Sequence, residues 1–431
     1  MSLFRRFLRG FLTGGTLTVI EPGGRAHSYG AGEPRVAIRV HDRNWPRRVV
    51  WRPDLAVGEG YTEGAFTLEE GDLETFLQLC IGNRQWGRGH WVRSAIGLLE
   101  RAGKHLQQLN PVSRSRGNAA YHYDLPVDFF DLFLDSQRQY SCAYFASPHD
   151  DLETAQQQKL RHIAAKLLLQ PGMSVLDVGC GWGGLALYLA RHCGVRVTGI
   201  TLASEQLQVA REQARLQGLD RQVDFRLLDY RQVHEQYDRV VSVGMFEHVG
   251  TNHYGRYVRQ LRRCLKPDGI ALLHAIGRAD GPGVTNAWTR KYIFPGGYSP
   301  ALSEVLPVIE RERLFLTDLE VLRLHYAETT RRWLQRFRAH REQACQLYGE
   351  RFCRMWEFYL AAAEASFRWG ALIVFQAQLA RDIQAVPLTR NYIGAAEEAL
   401  ATSSPGPGPA AVRPDRAGQV PAWNRQTRHL H

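Results

Sequence analysis

The chain has little that would hold it in a membrane, export it or staple it. In 431 residues no apolar stretch is long and clean enough to span a bilayer; the best, Tyr359 to Ala380, is interrupted by Glu364, Arg368 and Gln376. An integral membrane protein is not expected. The N-terminal MSLFRRFLRGFL lacks an apolar core of signal-peptide length, which points to the cytoplasm. The seven cysteines (Cys80, Cys142, Cys180, Cys193, Cys264, Cys345 and Cys353) are scattered, odd in number and without a C-x-x-C pair, so neither a disulfide framework nor a metal site is indicated. Acid is also scarce. Against 54 Lys and Arg stand 43 Asp and Glu, a net +11 that suits an anionic partner, whether nucleic acid or a phospholipid surface. The rest of the composition, 44% apolar and 23% charged, is that of a globular protein with room for two or three domains.

What is present is organised around MSVLDVGCGWGGLA, residues 173–186. An apolar run (Val175, Leu176, Val178) enters a glycine turn (Gly179, Gly181, Gly183, Gly184) and a small-residue helical segment follows, the pattern of strand, tight loop and helix. Glycines there let the backbone turn sharply and a ligand approach the helix start. Gly179, Gly181 and Gly184 also satisfy G-x-G-x-x-G, which alone leaves a dinucleotide open. Two residues favour S-adenosylmethionine instead. Asp177 sits at the strand end, where a carboxylate can meet an amino-acid ammonium group, and the position about twenty residues on, where a dinucleotide site wants an acid, is Thr201.

In chain order, Phe4, Phe7, Leu8, Phe11 and Leu12 recur at helical spacing with Arg5, Arg6 and Arg9 between them. This fits a short helix on anionic lipid, or equally an amphipathic helix docked on its own domain. Short β-rich runs follow at Leu17–Ile20, Val36–Val40 and Arg48–Trp51, then a glycine-punctuated turn from Gly58 and a helix with Leu73, Phe76, Leu77 and Cys80 on one face. A small α+β N-terminal domain is expected, bounded by the polar stretch 104–118. The aromatic-dense segment after it (Tyr121, Tyr123, Phe129, Phe130, Phe133, Tyr140, Tyr144, Phe145) is read mainly as core. A helix over 151–169 delivers the chain into the central strand. Strands at 195–202, 223–228, 239–245 and 270–276 then alternate with helices at 204–217 and 254–265, which predicts a doubly wound, mostly parallel sheet with ligands at the strand ends. The polar residues at those ends are Asp177, Thr201, Asp229, Glu247 and His274. Ala287–Pro300 reads as an aromatic loop covering a site, the stretches 329–348 and 351–380 as helical, and the Pro/Gly/Arg-rich tail as disordered.

These motifs (HYDL, QYSCAYF, VLDVGCGWGGLA, YDRVVSVGMFEHVG, LLHAIG, RKYIFPGG) make the chain resemble, from about Tyr121 to Arg381, the cyclopropane fatty acid synthase family, with its mycolic acid cyclopropane synthases. The N-terminal part is similar in kind to the extra domain of the phospholipid-acting members. The resemblance implies a class I, Rossmann-like methyltransferase sheet with a helical cap or insert and a small α+β N-terminal domain: residues 1–118 lipid-associating, 119–398 catalytic, 399–431 tail. It implies methyl transfer from S-adenosylmethionine to a cis double bond, then loss of a methyl proton to close a ring, with bound bicarbonate as base.

By the same resemblance Cys142, Glu247, His274 and the Ile276 backbone cradle the bicarbonate, together with Tyr326, matched through its spacing to Trp333. Tyr, His and backbone N–H would donate to the anion, while Glu247 would orient His274 or meet a protonated bicarbonate; without an anion Glu247 itself would be the base. Tyr140 and Ser141 are placed at the methionine end of the cofactor, and the loop of Asp177, Gly179, Cys180, Gly181 and Gly183 around its amino-acid and ribose part. Thr201, Leu202 and Gln206 follow, with Asp229 and Tyr230 flanking the adenine and Val243 closing that wall. Aromatic faces suited to a carbocation are Tyr121, Tyr123, Phe145, Phe246, Tyr292 and Phe294. Where some members carry a late-helix cysteine this chain has Ala363, so no nucleophilic thiol is expected there. The implied partner is an unsaturated phospholipid acyl chain at an anionic membrane surface, with peripheral association and, by analogy, a homodimer. A branched acyl product, a small-amine substrate and an inactive lipid-binding protein are the competing readings. Nucleic-acid methylation is not expected, since FEHVG stands where an N-P-P-Y motif would.

Overall fold

The computed structural model describes residues 2–86 and 125–403. The expected boundary at 104–118, Tyr121, Tyr123 and residues 404–431 of the expected tail lie outside the described residues, while 399–403, assigned to that tail, end the helix Asn391–Ser403. The chain divides into two compact units, one of residues 1–108, 278–301 and 323–373, the other of 109–277, 302–322 and 374–431.

The first unit carries a four-stranded sheet of β1 (Gly15–Ile20), β2 (Ala26–Ala31), β3 (Arg35–Val40) and β4 (Phe66–Glu70), in the order β2-β1-β3-β4. β1 is parallel to β3 and antiparallel to β2. The N-terminal helix Ser2–Phe11 uses its apolar face within the unit: Phe4 and Leu8 are buried, Phe4 meets Trp45 edge-on at 5.9 Å, and Arg5 pairs with Glu21 at 2.5 Å.

Two expectations fail nearby. Arg48–Trp51 is not a strand but the end of the helix Trp45–Trp51, which Pro46 starts and Trp45 anchors in the core. Gly58 and Gly60 are not turn residues either; both lie in the helix Pro53–Glu63. Their lack of a side chain serves close approach. A Cβ on Gly58 would lie 2.5 Å from Trp288, and one on Gly60 2.1 Å from the Trp45 indole nitrogen. The segment read as a loop at 287–300 contains a helix, Ala287–Tyr292, capped by Asn286 and tied to the unit by Lys291 and Tyr292, both on Glu59 (2.8 and 2.9 Å). The helix Glu350–Arg368 packs against Pro53–Glu63, Leu73–Trp86 and His325–Ala339.

The second unit is a seven-stranded sheet ordered β10-β11-β9-β8-β5-β6-β7. Its strands are β5 (Ser174–Val178), β6 (Arg196–Thr201), β7 (Val223–Leu227), β8 (Tyr237–Val243), β9 (Leu265–Arg278), β10 (Phe315–Val321) and β11 (Leu372–Ala380). β7, β6, β5, β8 and β9 pair in parallel, as the alternation predicts, and β10 pairs antiparallel to β11. The chain reverses its direction of travel across the sheet at β5 and β8, the place where such sheets bind ligands. The helices Leu152–Lys166 and Gly184–Cys193 bury Leu160, Ile163, Leu187 and Leu189 against Val175, Val241 and Leu272.

Here too the sequence misleads. Leu372–Ala380 is a strand rather than the end of a helix. Its β-branched and aromatic residues are buried throughout Val374–Ala380, so the run shows no alternation to separate it from buried helix. β10, which the sequence pattern does not announce, is an edge strand with an exposed start and a mostly half-buried remainder. The KPDG of 266–269 interrupts β9 as an irregularity in register rather than preceding it.

Gly60→Ala tests the packing in the first unit. Alanine is the better helix former by about 1 kcal/mol, yet the overlap with Trp45 should leave the variant destabilised by roughly 1–3 kcal/mol in urea unfolding. A stabilised variant would mean that Trp45 does not lie against this helix.

Candidate active site

Asp177, on the last turn of β5 before the glycine loop, is 1% exposed. It stands in register with Gly199 on one side and Val241 on the other. The loop turns at once: the N–H groups of Gly179 and Cys180 both donate to the Ile200 carbonyl, at 2.9 and 3.0 Å. Gly179, Gly181 and Gly183 have φ of +84°, +54° and +86°, a conformation side chains resist. A Cβ on Gly181 would meet nothing within 4 Å, so the loop leaves open backbone beside the start of Gly184–Cys193. One oxygen of Asp177, Oδ2, is buried without a hydrogen-bond partner. Burial pushes this carboxyl up to about 7, while Lys159 pulls it down. A buried carboxylate oxygen beside side-chain-free backbone at a helix start fits the α-ammonium and carboxylate of S-adenosylmethionine.

The neighbouring strand ends supply the other expected cofactor positions. The Thr201 hydroxyl closes β6, donating to Gln206 Oε1 and accepting from the Ala203 N–H, both at 3.2 Å. Leu202 beside it is half-buried. Asp229, 1% exposed, takes the Arg231 guanidinium at 2.8 and 2.6 Å and its backbone N–H at 3.0 Å. Tyr230 is half-buried, its ring edge-on to Tyr257 at 5.0 Å. Val243 ends β8 opposite His274.

The segment Tyr140–Cys142 is held from below by two polar residues on the inner face of Leu152–Lys166. Gln156 donates to the carbonyls of Gln139 and Ser141, both at 3.1 Å, and the Lys159 ammonium to the Ser141 hydroxyl at 3.0 Å and Gln139 Oε1 at 2.5 Å. Burial lowers Lys159 to about 8. Tyr140 lies edge-on to Phe130 at 5.6 Å, and Cys142 is fully buried with its thiol donating to the Ala143 carbonyl at 3.3 Å. Reading the helix only for its apolar face passed over Gln156 and Lys159; two polar residues three apart on that face were the available signal.

The acid–base group forms around the end of β9. Glu247 follows β8 in the short helical turn Phe246–His248, and its Oε1 accepts the Ile276 N–H at 2.6 Å. Its Oε2 is buried without a hydrogen-bond partner. Burial pushes Glu247 up to about 7, against that one backbone bond. The Ile276 N–H, expected to donate to an anion, thus donates to Glu247, the residue expected to orient His274. His274, 2% exposed and two residues before Ile276 on the same strand, meets Gln376 of β11 instead, Nε2 to Nδ1 at 3.2 Å. Burial, then the charges of Lys159, Lys166 and His162, lowers His274 to about 3.

Tyr326 belongs to the other unit, where it is buried beside Phe367 and edge-on to Trp333. Tyr292 and Phe294 are also in that unit, and Phe294 meets Tyr359 edge-on. Phe246 stacks on Tyr254 at 4.3 Å and Phe145 is half-buried. Ala363 lies within Glu350–Arg368.

Comparison with known proteins matches residues 111–377 to the family described as mycolic acid cyclopropane synthetase. The chain is 38% identical over 353 residues to cyclopropane-fatty-acyl-phospholipid synthase of Escherichia coli K12, covering 82% of this chain and 90% of that protein. It is 34% identical over 406 residues to the tuberculostearic acid methyltransferase UfaA1 of Mycobacterium tuberculosis, covering 88% and 91%. Among solved structures it resembles the mycolic acid cyclopropane synthase CmaA1 complexed with SAH and CTAB (33% identity, TM-score 0.59), which covers 63% of this chain and 99% of that one.

Asp177 makes ligand-free stability depend on pH in a defined direction. Its folded value, about 7, lies above the unfolded one of 3.8. Below the unfolded value both states hold the proton; as pH rises toward 7 the unfolded chain gives it up first, so the wild type loses stability over that window. Asp177→Asn removes the loss. Its gain in urea unfolding free energy should therefore grow by on the order of 2–3 kcal/mol between about pH 5 and pH 8. A gain that did not change with pH would show that Asp177 titrates normally.

Proposed function

The chain belongs to the mycolic acid cyclopropane synthetase family and is an S-adenosylmethionine-dependent methyltransferase of class I fold, and from that premise we propose that it cyclopropanates unsaturated acyl chains of membrane phospholipids. The observation that carries the proposal is Glu247: a buried carboxyl near 7, fixed through one oxygen by the Ile276 N–H, with its second oxygen unpartnered beside a neutral histidine strand. That is the equipment for taking a proton in a site closed to water.

S-adenosylmethionine, when bound, supplies an electrophilic methyl group on its sulfonium. Asp177 would pair with its ammonium group, and Gly179, Cys180, Gly181 and Gly183 would give backbone access to the amino-acid and ribose part. Tyr140 and Ser141, held by Lys159 and Gln156, would bound the methionine end. Thr201, Leu202, Gln206 and Val243 would line the nucleoside, with Tyr230 and the Arg231-paired Asp229 at the adenine. Bicarbonate as the base would be met in this unit by the buried Glu247 oxygen and the His274 imidazole, with Cys142 assigned to the same cradle by the family resemblance. Bicarbonate there would supply a weak base that tolerates a dry pocket.

The reaction is balanced simply. The alkene's π electrons form the new C–C bond to the methyl carbon, and the neighbouring carbon is left a cation. One C–H bond of the new methyl group then breaks, its electron pair closes the ring, and the proton leaves to the base, so the chain gains one CH2 group. Water would quench the cation, which is why burial matters as much as basicity. Lipid chains lie in a bilayer, and among the described residues no helix is long and apolar enough to cross one. We therefore read the association as peripheral, from the cytoplasmic side, favoured by the net charge of +11.

The reading is tested by expressing the protein in a host without its own synthase, supplying labelled methionine and analysing phospholipid fatty acids by mass spectrometry with ring-specific derivatisation. A labelled cyclopropane is the expected product. A labelled branched chain, the outcome that the resemblance to UfaA1 brings to mind, would overturn the ring-closing step. Glu247→Gln should keep its bond to Ile276 and its affinity for S-adenosylmethionine within about twofold, yet lower product formation by roughly 100-fold or more. Normal turnover by this variant would remove Glu247 from the chemistry.

A further inference from the structure

We infer that Gln376 is a positioning residue for the reaction: by donating from its amide nitrogen to Nδ1 of His274 it fixes that imidazole in the Nε2–H tautomer, so that His274 can only donate a hydrogen bond at its other nitrogen. The inference rests on the reading of His274 as part of the proton-removal site.

The geometry is specific. Gln376 is fully buried in β11, beside β9 in the sheet, and its Nε2 lies 3.2 Å from His274 Nδ1. An amide NH2 has only hydrogens to offer, so the ring nitrogen facing it must be the acceptor and the proton must sit on the opposite nitrogen. The amide's own oxygen, Oε1, is buried without a hydrogen-bond partner. A glutamine left half-satisfied in a packed strand is poorly explained as structural glue, since an apolar residue would cost less there.

The surroundings require a neutral donor. Lys166 lies under the same strands, bonded to Glu320 of β10 and 3.3 Å from Asp318, and His162 bonds Glu320 at 2.8 Å. Burial disfavours a proton on His274 most, and these cations and Lys159 add to that. A histidine that stays neutral is a poor base. It can serve an anion or a developing charge only through an N–H, and which nitrogen carries that hydrogen is then decided by its partner. With the amide turned round, Oε1 would take a hydrogen from Nδ1 and the ring would present a lone pair to any anion, repelling it.

The tautomer can be read directly in the full-length protein labelled with 15N-histidine, from two-bond 1H–15N correlation spectra, with His274 assigned by the signal lost in His274→Asn. The expected result is the Nε2–H pattern for His274 across about pH 6 to 8. Gln376→Glu offers an acceptor in place of the donor and should move the proton to Nδ1. It should also lower methyl transfer by roughly 10–100-fold while leaving the Kd for S-adenosylmethionine within about twofold. An Nδ1–H pattern in the wild type, or an unchanged Nε2–H pattern in Gln376→Glu, would overturn the inference. If Gln376→Glu does not fold, the wild-type spectrum still decides the tautomer, and Gln376→Leu, which conserves shape, should then show a mixture of the two forms; a pure Nε2–H pattern there would also overturn it. Failure of the lipid reading itself would appear separately, as wild-type protein that labels no lipid whatever its tautomer.

Discussion

Two carboxyl groups buried at the ends of parallel strands set the terms for the rest of the second unit. Asp177 and Glu247 each keep one oxygen away from water and without a protein hydrogen bond, and burial alone drives both to about 7. A fold does not gain stability from such groups; it tolerates them because surrounding structure over-determines their positions. Here the apolar core on the sheet and its helices, from Leu160 and Ile163 to Val241 and Leu272, supplies that excess. The helix Leu152–Lys166 has a double role in this. Its apolar residues pay into the core, and Gln156 and Lys159 on the same side hold the Tyr140–Cys142 segment.

Charge in the interior is distributed to keep different groups in different protonation states. Lys166 and His162 are paired with Glu320, with Glu397 as the second partner of His162 at 2.6 Å; the Glu320 carboxyl is held down at about 2, and these bonds raise His162 against its burial. His274 is held neutral by burial first and then by the same cations. Asp177 is the reverse case, raised by burial and partly restrained by Lys159. A cationic cofactor would complete that balance, since an ammonium group at Asp177 would return its carboxyl toward the ionised form. On the proposed reading, that environment suits His274 to a donor role and Glu247 to proton uptake.

How far the sequence announced this differs by element. The five parallel strands were legible because each is a short apolar run bounded by glycine or polar turns, and the loop at Asp177 because a positive φ at three alternate positions leaves few residues but glycine. The strand-end polar residues Asp177, Thr201, Asp229, Glu247 and His274 could be picked out before any coordinates, since rules of sheet topology place ligands there. Long-range pairing could not. That Glu247 would bond Ile276, or Gln376 would bond His274 across 102 positions, depends on strand order, and β11 had been read as helix because a fully buried strand lacks the alternation that marks a half-buried one. Gly58 and Gly60 misled for a related reason: glycine signals a turn only when the backbone needs it, and here the need came from Trp45 and Trp288, distant in sequence.

The identity of the product follows from the fate of a cation, so the cofactor loop cannot decide it. Methyl transfer to an alkene is a first step that ring-forming and branch-forming chemistry share, and the chain is similar both to a protein named as a cyclopropane synthase, at 38% identity, and to one named as a methyltransferase, at 34%. What separates the outcomes is whether the new methyl group loses its proton before or after a 1,2-hydride shift brings the cation to the carbon that bears it. His274, near 3, is too weak a base to take that proton, whereas Glu247, near 7, is matched to it at neutral pH. The backbone bond from Ile276 fixes one oxygen of Glu247 and leaves the other for proton exchange, either with the substrate or with an anion beside it. On the proposed reading ring closure is the direct route, because removing the proton and forming the third C–C bond are one event. A methylene branch would need that hydride shift before the same kind of base acts, and a methyl branch would need a reductant besides.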